Sequence, residues 1–598
     1  MKPRTTLTLV AIGGCFFAYI WFVEKHQKTT RELEDSNAKV VEIEQDKITS
    51  IALKSGDAQV ELVKNDASWR LQAPLQDRAD TPTVNSLLSL VSGLRHDSKI
   101  LLEKAQEKEK LKEFGVDASD TQIRLKSDKG KEITLLIGKD SAVDGKVYVR
   151  VDGSEAVYVI RNELRNQVTK KADDFRDKKL SDTAPALVQK IHVKTAELEV
   201  ELERKNNHWS FLKPIAARAA DQKVNDLLAS VLNAQVSQFL PETPTPEQGL
   251  AEPRATVQLT LDGQKDPLTL TVGAAPTGDE NKEKSFAKLS TRAAVTVLAN
   301  TALDPLIKPR IADLRDRKLL RVESDIVDRL TIESQAGSKF VLARKGESWV
   351  RKEGDKEIAI NDAMASRLLT ELVAAEATNL VADAAESPEE LEKYGLGKPQ
   401  VKVTLSSYAS ENTAETKAGE KPLASLLFGT VEGDNGYTKL EQEPFILAAP
   451  KTLISGIPTH PVQIQPLLLT EVKSDEVTKL TVKTGETAVS VEKKENEWKL
   501  SGGEGTVNTP AVQGVLGILA NLRAQKWIGP TDAAAQGLEK PELTVTVEMK
   551  KGDQTSSIEI KLGSATEENS LYATLSGKEG TCTISRADRD ALGAKLLQ

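Results

Sequence analysis

The stretch SWRLQAPLQDRADTPTVNSLL, residues 68–88, returns at residues 208–228 as HWSFLKPIAARAADQKVNDLL. A chain that repeats itself at such a distance is built from copies of one supersecondary unit, so its periodicity has to be settled before its chemistry. Two more copies follow. The four openings are KITSIALKSGDAQVELVKNDASWRL, LVQKIHVKTAELEVELERKNNHWSF, IVDRLTIESQAGSKFVLARKGESWV and EVTKLTVKTGETAVSVEKKENEWKL. In each, apolar residues alternate with polar ones, as Ile51, Leu53, Val60 and Leu62 do in the first. Period two means half-buried strands, and the short polar link between two such runs means a hairpin. Trp69, Trp209, Trp349 and Trp498 arrive 18, 18, 19 and 18 residues after the first apolar position. They are one structural position used four times.

A helix is expected after each tryptophan strand. Thr81-Pro82 and Thr509-Pro510 place a capping hydroxyl before a proline whose missing N–H costs nothing in a first turn, and Asp221 and Asn361 can cap the other two. Val84, Leu87, Leu88, Val91 and Leu94 then form one apolar stripe, wide enough to cover a sheet face. The second half of each copy opens on a glycine turn: Gly115 in EFGVDAS, Gly249 in EQGLAEP, Gly395 in KYGLGKP and Gly537 in AQGLEKP. Alternating strands follow, one ending in glycine at LLIGK, LTVGA, LLFGT and IKLGS, and a last hairpin closes the copy. The expected unit is ββ(β)-α-ββββ over about 140 residues. Inserts at PETPTPEQ, APTGDENKEK and SYASENTAETKAGEKP have the composition of exposed loops.

The N-terminus reads MKPRTTLTLVAIGGCFFAYIWFVEKHQK, with no charge from Leu7 to Val23. Seventeen to nineteen residues of helix reach roughly 26–28 Å, close to the hydrocarbon core of a bilayer. Lys2 and Arg4 precede the span, and Phe16, Phe17, Tyr19, Trp21 and Phe22 gather at its far end. That arrangement predicts a single-pass anchor with the bulk of the chain on the periplasmic side of a bacterial inner membrane. A cleaved signal peptide is the alternative. IGGC loosely matches a lipidation site, but a lipoprotein turns polar after its cysteine and this chain continues FFAYIWFV.

The expected fold class is therefore α+β, an N-terminal transmembrane helix followed by four tandem copies of the unit. The expected boundaries are residues 1–23 for the cytoplasmic tip and anchor, 24–45 for a stalk, and 46–181, 182–320, 321–470 and 471–598 for the copies. A length of 598 residues agrees, at about 150 per domain. The net charge of −8 is spread without a basic block, which argues against nucleic acid as a partner. Cys15 and Cys582 lie too far apart in sequence to staple one domain.

The sequence carries no G-x-S-x-G nucleophile elbow and no G-x-x-x-x-G-K-[ST] phosphate loop, and no zinc-ligand spacing stands out. SGGEG at Ser501 lacks the helix and lysine of a phosphate loop, and reads as a turn. His192 and His208 flank one hairpin, but Thr331 and Thr481 stand at the His192 position elsewhere and no third ligand is near. No metal, cofactor or catalytic residue is expected. The clusters Asp174, Arg176, Asp177 and Asp313, Arg315, Asp316 place an arginine among acids, which keeps the acids ionised and suits salt bridges between units better than proton transfer. The four tryptophans precede the covering helix, so core anchoring is preferred to stacking on an envelope glycan.

The anchor ending AYIWFVEKH, the tryptophan strand before a capped helix, the YGLGKP turn and the LRDRKL close resemble the membrane-anchored family known as domain of unknown function 4340. The third copy carries IQPLLLT where the first two close on DDFRDKKL and ADLRDRKL. The resemblance implies an extracytoplasmic accessory beside gliding-type ABC transporter components, with a permease and an ATPase as protein partners, and brings no catalytic residues. The expected function is a non-enzymatic scaffold or accessory subunit. The alternatives are an envelope polysaccharide- or lipid-binding module and, ranking lower, an envelope hydrolase.

Overall fold

The computed structural model describes residues 38–408 and 421–598, apart from positions 67, 105 and 386. In the first copy β1 (Ile48–Ser55), β2 (Ala58–Asn65) and β3 (Ser68–Ala73) form a meander that ends in the two-residue β4 (Asp77–Arg78). Helix α1 (Thr81–Ser92) follows, then β5 (Ser98–Leu101) and the short helix α2 (Glu107–Phe114). A second meander runs through β6 (Thr121–Ser127), β7 (Glu132–Asp140), β8 (Lys146–Val151) and β9 (Ala156–Arg161), and α3 (Glu163–Val168) closes the copy. All strands join one antiparallel sheet in the order β4-β3-β2-β1-β6-β7-β8-β9-β5. Three copies have nine strands in this order and the fourth has eight.

Helix α1 leaves β4 at one edge and delivers β5 to the other, so its stripe crosses the whole sheet. Val84, Leu87, Leu88 and Val91 meet Ile51, Leu53, Leu62, Trp69 and Leu71 from the strands, all essentially buried. The register sets this face: Ile51 pairs with Leu62 on one side and Leu125 on the other, and Leu53 with Val60 and Ile123. The opposite face carries a smaller cluster of Leu111, Phe114, Val116 and Val157 under α2.

This architecture corrects the expected α+β class. Strand makes up 42% of the described residues and helix 21%, so the fold is mostly β, with the helices as covers on continuous sheets. The misreading came from β5: SKIL has only four residues among charges, and its pairing at the far edge is a long-range event that local alternation does not reveal. The predicted transmembrane helix lies outside the described residues, and among those described no helix is long and apolar enough to cross a membrane. The caps also differ in detail. Thr81 and Thr509 are the first helical residues, and the cap of the fourth helix is Asn508, which accepts from the Ala511 N–H. Asn361 caps its helix as its sequence position implies, whereas Asp221 lies inside the first turn and accepts from the Trp209 N–H at 2.6 Å.

The glycine turns are built from two glycines each. Gly115, Gly249, Gly395 and Gly537 hold φ between 64° and 71°, a left-handed conformation that side chains disfavour. Their partners are Gly138, Gly429 and Gly563, on the strand that passes over the turn, and Gly273, just past the end of that strand. A Cβ at any of these four would stand 2.0–2.2 Å from the carbonyl oxygen before the turn glycine. The described chain divides into two compact units, one holding the first two copies to Leu314, the other Ile215–Ala220 and Arg315 onward.

In the fourth copy, Gly563→Ala is expected to cost about 1–3 kcal/mol by overpacking. Gly514→Ala, in a helix interior with open space around the new methyl, is expected to gain about 0.5–1 kcal/mol. Urea midpoints followed by hydrogen exchange in the fourth sheet would show shifts of opposite sign.

Candidate functional site

Each copy leads into the next through an extended segment. In the first unit the Leu180 N–H donates to Ala234 O at 2.8 Å, and the Val236 N–H to Lys178 O at 2.7 Å. In the second unit Leu319 and Ala375, then Leu469 and Leu522, repeat the first of these bonds at 2.9 and 2.8 Å. Before the first copy, the Val40 N–H donates to Leu94 O at 3.0 Å in the same way. These seams gather the most buried charge in the described chain.

At the seam inside the first unit, Asp77 at the end of the tryptophan hairpin is the central acid. Its Oδ2 accepts from Arg176 Nε at 2.8 Å, Arg176 Nη2 at 2.6 Å and Arg292 Nη2 at 3.0 Å. Asp77, Arg176 and Arg292 expose 6%, 3% and 2% of their side chains, so this is an ion triad away from water. Arg292 also donates to Lys179 O at 2.9 Å and Asp177 O at 2.8 Å. Arg78 donates to Lys179 O and pairs with Asp177 at 3.3 Å and Asp182 at 3.0 Å. The Phe239 ring lies against the Arg176 and Arg292 guanidiniums, 3.7 and 5.0 Å from its centroid. Burial pushes the Asp77 carboxyl up, but the charge and hydrogen bond of Arg292, then the hydrogen bonds of Arg176 and the Arg78 N–H, outweigh it and hold it below the usual aspartate value.

The second unit holds a different arrangement. Arg218 makes an ion pair with Glu443 at 3.1 Å, without an aligned hydrogen bond, and donates to Lys318 O at 2.8 Å. Asp316 accepts from Arg321 Nε at 2.6 Å and lies 3.8 Å from Arg218. Arg315 pairs with Asp383, and the Phe445 ring has Arg218 and Arg315 each 5.5 Å from its centroid. Here burial prevails: it raises the Glu443 carboxyl above its usual value against the pull of Arg218 and Arg321, with Asp316 adding to the rise. Further along the same unit, Lys578 Nζ donates to Leu468 O at 2.7 Å and Trp527 Nε1 to Pro466 O at 3.0 Å.

Of the residues singled out from sequence, Arg176, Asp177, Arg315 and Asp316 lie in these seams. Asp174 instead accepts from the Lys171 N–H within its own turn, and Asp313 faces Arg310. Trp69, Trp209, Trp349 and Trp498 are 2%, 0%, 3% and 8% exposed, each under its helix. Trp527, outside the repeated position, is likewise buried at 5% exposure. His192 bonds Glu199 and Gln258, while His208 bonds Asp221, so the two do not converge. Among the described residues no three His, Cys, Asp or Glu gather as metal ligands. Cys582 is buried, and burial pushes its thiol to about 12, far from a nucleophile. Asp77, Arg78, Arg218, Arg292, Glu443 and Lys578 were not singled out from sequence. Their signal lay in departures from the repeat, QDRAD against AARAA and STRAA against EQEPF.

Asp77→Ala removes the buried acid shared by two guanidiniums, leaving Arg176 only the exposed Asp173 at 3.1 Å, and is expected to cost about 3–5 kcal/mol, seen as faster hydrogen exchange at Leu180 and Val236. The pH responses of the two acids have opposite signs. The folded Asp77 pKa is depressed, so its contribution is present above the usual 3.8 and is lost as pH falls through the lower folded value. The folded Glu443 pKa is raised, so its seam is tightest below the usual 4.5 and loosens as pH rises through the folded value. Asp77→Asn and Glu443→Gln should each flatten the corresponding pH profile of exchange.

No curated protein matches the chain. Two solved structures were aligned with it. One is an endo-1,5-alpha-L-arabinanase from Thermotoga petrophila, 8% identical, covering 90% of this chain and 98% of that one. The other is the extracellular domain of a putative hybrid two component system from B. thetaiotaomicron, 9% identical, covering 92% and 77%. Both have a TM-score of 0.08, which carries no likeness of fold. The model of a domain of unknown function, DUF4340, matches residues 69–253, 209–389, 379–541 and 501–598. Four overlapping matches from Trp69 to the last residue cover most of the chain, in the same order as the four sheets, and the chain belongs to the DUF4340 family in tandem copies.

Proposed function

We propose that this protein is a non-enzymatic scaffold or accessory subunit, held at the extracytoplasmic face of a bacterial inner membrane beside a gliding-type ABC transporter. The observation that carries the reading is where the buried charge lies. Asp77, Arg176, Arg292, Arg218 and Glu443 are placed to join one copy to the next. Their partners are one another, backbone groups of the exit segment and hairpin end, and the neighbouring acids Asp173 and Asp316. Buried charge placed at a joint favours a chain whose work is to hold several surfaces in fixed order. The transporter itself comes from the family resemblance.

A second reading, binding of an envelope polysaccharide, is favoured by a groove of about 660 Å³ in the second unit. Asn361, Arg367, Gln525 and Lys526 supply polar groups along it, with Met364 and Pro458 between them. Such a mixed lining suits sugar hydroxyls better than lipid chains.

Recovery of the full-length protein from native membranes in mild detergent, followed by mass spectrometry, separates the two. Stoichiometric recovery of an ATPase and a permease is the expected result. Recovery of the protein alone, or with wall fragments, would overturn the accessory reading and put the groove first.

A further inference from the structure

Turn for turn, the same three places in the fold build every seam: the end of the tryptophan hairpin, the exit segment, and a turn residue of the copy that receives it. The turn residue is fixed by one backbone bond. Arg292, Glu443 and Lys578 each donate N–H to a leucine carbonyl three residues back, of Leu289, Leu440 and Leu575 respectively. Ser154 does the same to Val151 in the first copy. The hairpin ends correspond through the bonds Asp80 N to Phe175 O and Asn361 N to Ile464 O, and through the bridges Ala79–Arg176 and Ala219–Arg315. Asp77 and Arg78 thus occupy the places of Ala217 and Arg218, and of Ile358 and Ala359 in the third copy.

Placed side by side, the seams carry different charges at equivalent positions. The first opposes an acid, Asp77, to a base, Arg292. The second has Ala217 in place of the acid and Glu443 in place of the base, with Arg218 turned onto the glutamate. Beside it, Arg321 stands where the first seam has Asp182. The third has Ile358 and Ala359 at the hairpin end, Pro466 in the exit segment, and Lys578 given over to a backbone carbonyl. Glu443 in the Arg292 position would face Asp77 in a dry site, and Arg292 in the Glu443 position would face Arg218 and Arg321. Like charges at a few ångströms without water to screen them repel strongly.

We propose that these alternating acid and base positions are a recognition code, by which each hairpin and exit segment accepts only the turn residue of its own successor. Four homologous sheets in one chain share nearly the same apolar faces, and the apolar pattern alone would let a segment dock on the wrong copy. Charge placement removes that choice. The best-attested use of a buried ionic group is of this kind: it selects register at little gain in stability.

The test is an exchange of code letters in the full chain. Arg292→Glu alone sets two carboxylates together, and hydrogen exchange at Leu180 and Val236 should accelerate at least tenfold. Adding Asp77→Ala recreates the Ala217–Glu443 pair opposite Arg78, and exchange should return to within about threefold of wild type. The mirror set in the second unit, Glu443→Arg without and with Ala217→Asp, guards against a single variant that fails to fold, and its exchange is read at Leu319 and Ala377. Rescue in either set supports the code. A double variant as fast as or faster than its single in both sets would show that the charges merely fill space, and would overturn it.

Discussion

A backbone carbonyl that leaves one copy and is covered by the next must be given a donor, and the seams follow from that need. Lys179 O receives Arg78 and Arg292, Lys318 O receives Arg218, and Leu468 O receives Lys578. The exit segment cannot take these bonds from a strand ladder, because it pairs by only two to four bonds with the end of the following helix. An unmet buried carbonyl costs about 1–3 kcal/mol, and a cation is the strongest donor available. Once a guanidinium is buried for this purpose, it needs an acid, and Asp77, Asp316 and Glu443 are the answers to that second need.

The same logic explains why the two acids titrate in opposite directions. Asp77 is surrounded: three donors from two arginines converge on one oxygen, and a backbone N–H adds to them. Glu443 has one ion pair, a second oxygen without a partner, and Asp316 nearby. Burial is common to both, and what decides the sign is how many hydrogen bonds oppose it.

Most of each copy was legible in sequence because its determinants are local. Alternation in KITSIALKS and its three counterparts marks strands, the stripe from Val84 to Val91 marks a covering helix, and the paired glycines mark the turn beneath a strand. The short strand Ser98–Leu101 was not legible, since its pairing with Ala156–Arg161 closes a loop of some fifty residues and no local pattern records it. The seams were half legible. The Arg-Asp close of the first two copies advertised itself by repetition, whereas Asp77, Arg292 and Glu443 are informative because they fail to repeat. A search tuned to similarity discards such positions.

That contrast bears on how repeats of one fold can differ in use. In a homologous array the conserved positions make the copies alike: tryptophan, glycine pair and helix stripe are answers to packing, and packing is the same in each sheet. Positions that vary in step with a neighbour answer instead to place in the chain. Arg292 with Asp77, and Glu443 with Ala217, vary in this coordinated way around an arginine, Arg78 or Arg218, that does not change. His192 differs by lacking burial: its surroundings are exposed strand residues, and Thr481 at its place in the fourth copy bonds Ser490 on the facing strand at 2.8 Å. Coordinated variation under burial is therefore the mark of an architectural task, and it is the seams that carry it.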